Sequence, residues 1–294
     1  MGGAIGIHIG PVMACADGGS TGGVDPVRNG GTVTDAFMQL LQLYRTLAAP
    51  RKDPITPPLA HFPGWFAVVA TTSLLLGAAC AVWVALDVVR RPQPMRVMAV
   101  VWPVTMLFGG LLGLWFYRAQ GRAPRAGQEP SGRQTSLAAS VGTGTSHCGA
   151  GCAIGDLIAE WLAFALPAVA VLGGWGWLFD DPMFAVWVID FVLAFVIGIG
   201  FQYFAIAPMR EQSAGRTLRD AVKADAASIT AWQVGMFGVM ALMQLLVFPV
   251  LWGGRAAVDS PEFWFAMQWA MLAGFATSYP VNWVLIRTGI KERM

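Results

Sequence analysis

The sequence is short of charge: Asp, Glu, Lys and Arg make up only 12% of its 294 residues, against about 25% in an ordinary soluble domain. With 56% hydrophobic residues beside so little charge, water is not the solvent this chain is built for. Cysteine is scarce too, at Cys15, Cys80, Cys148 and Cys152, which excludes a disulfide-built secreted scaffold. A net charge of +2 and aromatics gathered into apolar runs leave no basic face for a nucleic acid. No Gly-x4-Gly-Lys-Ser/Thr loop occurs, so an ATP-driven pump within this chain is excluded. There is no Gly-x-Ser-x-Gly elbow leading from a strand into a helix and no His-Glu-x-x-His helix, so the familiar hydrolases lack support and an enzyme is not expected.

What is present is length of apolar sequence. Six segments, roughly 64–87, 97–117, 152–178, 184–206, 226–252 and 263–286, reach the approximately 20 largely apolar residues needed to cross a bilayer. Tryptophans such as Trp65, Trp115, Trp177, Trp252 and Trp283 edge them, as suits an indole at the headgroup layer. The runs are continuous rather than alternating, which predicts helices and not a barrel. The expected fold is an all-α integral membrane bundle of about six transmembrane helices: a two-helix hairpin over 61–117, a linker rich in Arg, Gly, Pro and Ser over 118–146, and a four-helix domain over 147–294. Residues 1–60, rich in Gly, Pro and small polar residues, read as a mostly disordered arm with room for a short amphipathic helix at 36–45. The arm lacks the pattern of a secretory signal. Translation starting near residue 55 would make it an over-long reading, which the intact mass of the native protein decides.

Basic residues set an expected orientation. Lys and Arg number four in the arm, four in 118–149, four in 207–223 and three at the C-terminus, against four in the other loops. The positive-inside rule then puts both termini in the cytoplasm. The loop Arg90–Arg96, with three arginines, dissents from that arrangement. Gly109 with Gly113 and Gly151 with Gly155 are spaced for close helix approach.

The chemistry gathers at 146–160. On a helix from about 147, Cys148, Cys152, Asp156 and Glu160 recur every fourth residue along one slowly drifting face. Ionisable groups at membrane depth cost several kcal/mol unless they are paired or face water. Imidazole and thiolates bind Cu(I) or Zn(II), so His147, Cys148 and Cys152 are candidate metal ligands at the helix mouth. Small packing residues around a wetted histidine is the plainer alternative. Asp156, Glu160 and Asp190 are candidates for an ion or proton path. Met236, Met240 and Met243, with Met267 and Met271, form thioether stripes that either fill the core or pass a soft metal ion along. Gln202, Gln233, Gln244, Gln268 and Asn282 are expected to hydrogen-bond between helices. Lys223 and Asp225 stand at the start of the fifth segment, where the lysine either pairs with Asp156 or Asp190 or is solvated.

His147-Cys-Gly-Ala-Gly-Cys152, with Gly155-Asp156, Glu160-Trp161, Phe204-Ala-Ile-Ala-Pro-Met209, Lys223-Ala-Asp225, Thr277-Ser-Tyr-Pro-Val-Asn-Trp283 and Val101-Trp-Pro-Val-Thr105, resembles a bacterial membrane family known as domain of unknown function 4396. The resemblance covers about residues 64–294. It implies a multi-pass protein of a bacterial inner membrane, embedded in lipid, and implies no activity. The leading expectation from the residues is membrane handling of a soft metal ion, copper above all. The alternatives are a non-catalytic scaffold and a proton-coupled carrier of an organic solute.

Overall fold

The computed structural model describes residues 57–124, 135–206 and 213–293. The N-terminal arm, the 36–45 helix and Cys15 lie outside the described residues. Those described are helical, with no strand among them. The long helices are α1 (Gly64–Arg90), α2 (Met98–Phe116, continued by a π-turn Tyr117–Gly121), α3 (Leu137–Ala165), α5 (Pro182–Ile206), α6 (Ala214–Ala241) and α8 (Pro261–Arg287). The short helices are α4 (Ala168–Leu172) and α7 (Phe248–Trp252), the latter joined to α6 through the π-turn Leu242–Val247. Among the described residues, five stretches are long and apolar enough to cross a membrane: Gly64–Arg90, Met98–Gly121, Leu137–Ala165, Pro182–Ala205 and Ala214–Trp252. The 27-residue α8 has spanning length, but Gln268, Thr277, Ser278 and Asn282 dilute its apolar character.

Helix α2 departs from the expected hairpin of two full spans. Gly110 sits at φ 48°, ψ −129°, a conformation that L side chains rarely adopt, and the chain doubles back there. Trp102 packs on Tyr117, ring centroids 5.4 Å apart, and on Phe116 at 6.0 Å, and it lies directly over Gly121. In a straight helix Trp102 and Tyr117 would be separated by about 22 Å at 1.5 Å per residue. The arms 98–109 and 111–121 are each about 16–18 Å long, half of a hydrocarbon core of about 30 Å. α2 is therefore re-entrant: it dips to mid-bundle and returns to the end it left.

Such a break leaves backbone groups without helical partners at membrane depth, which is tolerated only inside protein. Gln268 of α8 donates to the Leu107 carbonyl at 2.7 Å, and Ser73 of α1 donates to Gln268 Oε1 at 2.7 Å. Gln268 thus caps the tip, and Ser73 holds Gln268 in place. Phe108 beside it meets Trp232 of α6 edge-on at 5.6 Å. At the mouth of the hairpin, Arg122 grips Asp87 with two bonds of 2.8 Å, Tyr117 donates to the same carboxylate at 3.0 Å, and Arg91 donates to the Ala123 carbonyl at 3.0 Å. The hydrogen bond to Asp87 raises the pKa of the Arg122 guanidinium above its ordinary value.

This reversal changes which helix ends lie together. Phe66 meets Trp252 at 4.6 Å and Phe265 at 5.7 Å, and Ala60 and His61 donate to the carbonyls of Arg255 and Trp252. The start of α1 therefore lies beside the start of α8, and the two run parallel. The ends of α1, α5 and α8 and the starts of α3 and α6 share the opposite face, called here the basic end. Among the described residues, 11 of the 12 lysines and arginines belong to the helix ends and connections at that face, Arg90, Arg91 and Arg96 included, and only Arg255 lies at the other. The Arg90–Arg96 loop thus joins the basic side instead of dissenting from it. Residues 57–63 lie at the other end from Lys291, so these residues do not share a side with the C-terminus as expected.

Helix α3 begins at Leu137 rather than near 147–152, inside the stretch expected to be linker. Ser136 caps it by accepting from the Ala139 amide at 3.2 Å, and it stops where Leu166 precedes Pro167. Every residue from Ala139 to Cys152 is buried, so this half is enclosed on all sides by other helices. Small residues are what such a position requires, and their low hydropathy makes the stretch look like a linker. The Gly151/Gly155 pair faces α5 as its spacing suggests: a Cβ at Gly151 would stand 2.8 Å from Gly198 Cα, and one at Gly155 2.5 Å from the Ala194 nitrogen. Gly109 and Gly113 have no such neighbour, since added Cβ atoms there meet only Thr105 and Met106 of the same helix.

Candidate functional site

A file of polar side chains follows α3 through the centre of the bundle. At the basic end, His147 is fully buried, its Nδ1 4.0 Å from Asp225 Oδ2 of α6, and neither ring nitrogen is hydrogen-bonded. Lys291 reaches this site because Gly289, at φ 73°, turns the chain back after α8, and the Lys291 amide donates to the Leu285 carbonyl at 3.1 Å. Its ammonium donates to Asp225 and, at 2.9 Å, to Asn282 Oδ1. Ser228 donates to Asn282 Oδ1 at 3.0 Å, and Asn282 donates to Ser278. Lys291, Asp225, Asn282, Ser228 and Ser278 are all essentially without solvent contact. Together they make a charge-neutral plug across the basic end.

Below the plug the file turns apolar. Cys148 and Cys152 are free thiols, both fully buried. They share one cluster with Met236, Met240, Met267, Met271, Phe108 and Trp232, with Met243 packed against it. The thioether stripes and the thiols are therefore brought together, as the sequence invited. Their depth differs from expectation: His147 lies about 15 Å along the helix from Leu137, so the trio stands inside the bundle and not at a mouth. Among the described residues, no group of three His, Cys, Asp or Glu side chains is placed to hold a metal ion.

Deeper along α3 come the carboxylates. Asp156 accepts from Gln233 at 3.4 Å through Oδ1, while its Oδ2 has no partner. Neither oxygen of Asp190, fully buried on α5, has one. Glu160, 5% exposed, has no hydrogen bond or ion pair among the described residues. The three carboxylates are close enough to act electrostatically on one another. Glu160 lines a cavity of 670 Å³ that opens at the end opposite the plug. Its rim carries Arg255, paired with Asp181 at 2.6 Å. Gln244 is held there by reciprocal bonds with the Ala256 backbone at 2.9 and 3.2 Å. The π-turn that presents Gln244 precedes Pro249, which has no amide hydrogen to continue an α-helical ladder.

The sequence-derived candidates thus separate into three levels: His147 at the plug, the thiols and thioethers at mid-bundle, and Asp156, Glu160 and Asp190 toward the cavity. Sequence reasoning missed Lys291, while Lys223 takes the solvated position that was one of its two expected readings. Lys223 is exposed, while Asp225 two residues on is buried against Lys291. The glycine two residues before Lys291, just past an apolar run, is the one signal of a returning chain.

The bundle and its polar file define a multi-pass helical membrane protein. Residues 138–291, just over half of the chain, match the family described as domain of unknown function (DUF4396), and the chain belongs to it. The match takes in α3 to α8 and the whole polar file, but not α1 or the re-entrant α2, so it is narrower than the resemblance suggested, and Val101–Thr105 falls outside it. No curated protein and no solved structure matches the chain.

Proposed function

We propose that this protein is a proton-coupled carrier of a small solute, with the basic end facing the cytoplasm of a bacterial inner membrane. The observation that carries the reading is a group of three buried carboxylates with no cation paired to them among the described residues, of which Glu160 lines a cavity that opens at the end opposite the plug. A carboxylate at membrane depth is stable there only if it takes a proton or meets a cation, and exchanging one for the other is what a coupled carrier does. The solute would be taken into the cavity, and Asp156, Glu160 and Asp190 would bind and release the proton. The broken helix α2, reaching mid-bundle beside the file, is the kind of element found where carriers bind their cargo. The orientation follows from the basic connections gathered at the plugged end.

A scaffold would satisfy its buried polar groups against each other, as Lys291, Asn282, Ser228 and Ser278 do in the plug; both oxygens of Asp190 and Oδ2 of Asp156 have no partner among the described residues. The soft-metal reading keeps its support in the adjacency of Cys148, Cys152 and the methionines, but it lacks a convergent ligand set among the described residues.

The test uses inverted vesicles from cells overproducing the protein, loaded with a pH-sensitive dye and given pooled cationic, anionic or neutral solutes. One pool is expected to evoke proton movement. Asp156→Asn, Glu160→Gln and Asp190→Asn, each reaching the membrane at wild-type level, should abolish it, while the Cys148→Ala/Cys152→Ala pair retains it. No response to any pool, or full activity in the carboxylate variants, overturns the reading.

A further inference from the structure

The cavity's lining narrows the kind of solute. Its 670 Å³ is the size of a drug-like ligand site, about 300–1,000 Å³. Phe164, Trp175, Trp187 and Phe263 line it, with Met183 and Met240 between them. Of its charged residues, Arg255 and Asp181 neutralise each other. Glu160, 95% buried, is left as the single charged lining residue with no hydrogen bond or ion pair among the described residues, with the unpartnered Asp190 carboxylate and Asp156 Oδ2 further along the file. No free cation among the lining residues would receive an anion. A strongly hydrated cation would need several oxygen ligands to replace its water, and Gln244 is already committed to the Ala256 backbone. A cation whose charge is spread over apolar groups has little water to lose. Aromatic walls favour such an ion both by apolar contact and by attraction to their ring faces.

We propose that the cavity is the binding site for a lipophilic organic monocation, seated among the aromatic side chains with its charge against Glu160. The proposal builds on the carrier reading and names its solute. Charge balance is simple: Glu160 holds either the monocation or a proton, so one proton leaves for each ion that binds.

The probe is tetraphenylphosphonium, with tetraphenylborate as a control of the same shape and opposite charge. Equilibrium dialysis against the detergent-purified full chain should show saturable phosphonium binding and no comparable borate binding. Glu160→Gln should weaken phosphonium binding at least tenfold, and Ala163→Trp, which fills the cavity without touching the charge, should do the same. Wild-type elution on a sizing column checks that each variant is folded. If one variant does not fold, the other and the borate comparison still decide. Equal binding of phosphonium and borate, or an unchanged affinity in either folded variant, overturns the proposal. The two readings fail separately. Phosphonium bound at Glu160 without solute-evoked proton movement in vesicles ends the carrier reading and keeps the site. Proton movement evoked by another pool, with no phosphonium binding, ends the site and keeps the carrier.

Discussion

Asp225→Asn should destabilise the protein far more than an ordinary substitution. Asp225 and Lys291 are each fully buried and in direct contact, and the other partner of the ammonium is the neutral Asn282. Replacing the carboxylate by an isosteric amide removes the only anion touching Lys291 among the described residues and leaves an uncompensated ammonium in the bundle. Breaking a buried pair from one side costs about 3–5 kcal/mol, while replacing both partners by neutral groups of similar size is close to neutral. Asp225→Asn should therefore cost that amount. Lys291→Met should cost a comparable amount, since it leaves the buried Asp225 carboxylate without its cation. The double variant should recover most of the loss. The assay is reversible unfolding in mixed micelles titrated with a denaturing detergent, followed by tryptophan fluorescence. A cost below about 1 kcal/mol for Asp225→Asn, in the range of an exposed ion pair, or a double variant as unstable as the single one, would refute the reasoning.

Gly110→Ala should cost about 1–3 kcal/mol in the same assay, as expected for a side chain forced into a glycine conformation. Gly109→Ala, in a helical position with only a 3.9 Å contact, should be neutral or slightly stabilising; equal effects at the two glycines would count against the reversal. In cells, a cysteine introduced at Gln93 should react with an impermeant maleimide from the same side as one at Ile290, and one at Asp259 from the opposite side. Labelling of positions 93 and 259 from one side would restore the two-span hairpin. Elemental analysis should find the same copper and zinc content in wild type and in Cys148→Ala/Cys152→Ala; stoichiometric copper lost in the double variant would return the metal reading to first place.

The candidate site was legible in part. The spacing of four that joins Cys148, Cys152, Asp156 and Glu160 is a property of helical geometry, and the structure places all four along the buried α3 as that geometry requires. Asp190 and Gln233 drew notice as polar residues in apolar runs, and both stand beside the file. The plug was not legible, because Lys291 reads as a hydrophilic tail residue until Gly289 turns it inward. The cavity was not legible either. It forms between the ends of α3 and α6, the starts of α5 and α8 and the residues before α1, stretches far apart in sequence.

By itself the sequence determined the helical membrane class, the approximate position of most long helices and the presence of ionisable groups among them. All of these follow from local periodicity and from the cost of burying polar groups in lipid. Two matters were decided only by tertiary structure. Residues 98–121 have the length and apolarity of a span, and only the backbone at Gly110, with its tip capped by Gln268, makes them a half-depth hairpin. Residues 137–151 have the composition of a linker, and only enclosure by neighbouring helices makes their small side chains the centre of the bundle. Hydropathy measures what a segment would do facing lipid. It does not report on segments whose neighbours are protein.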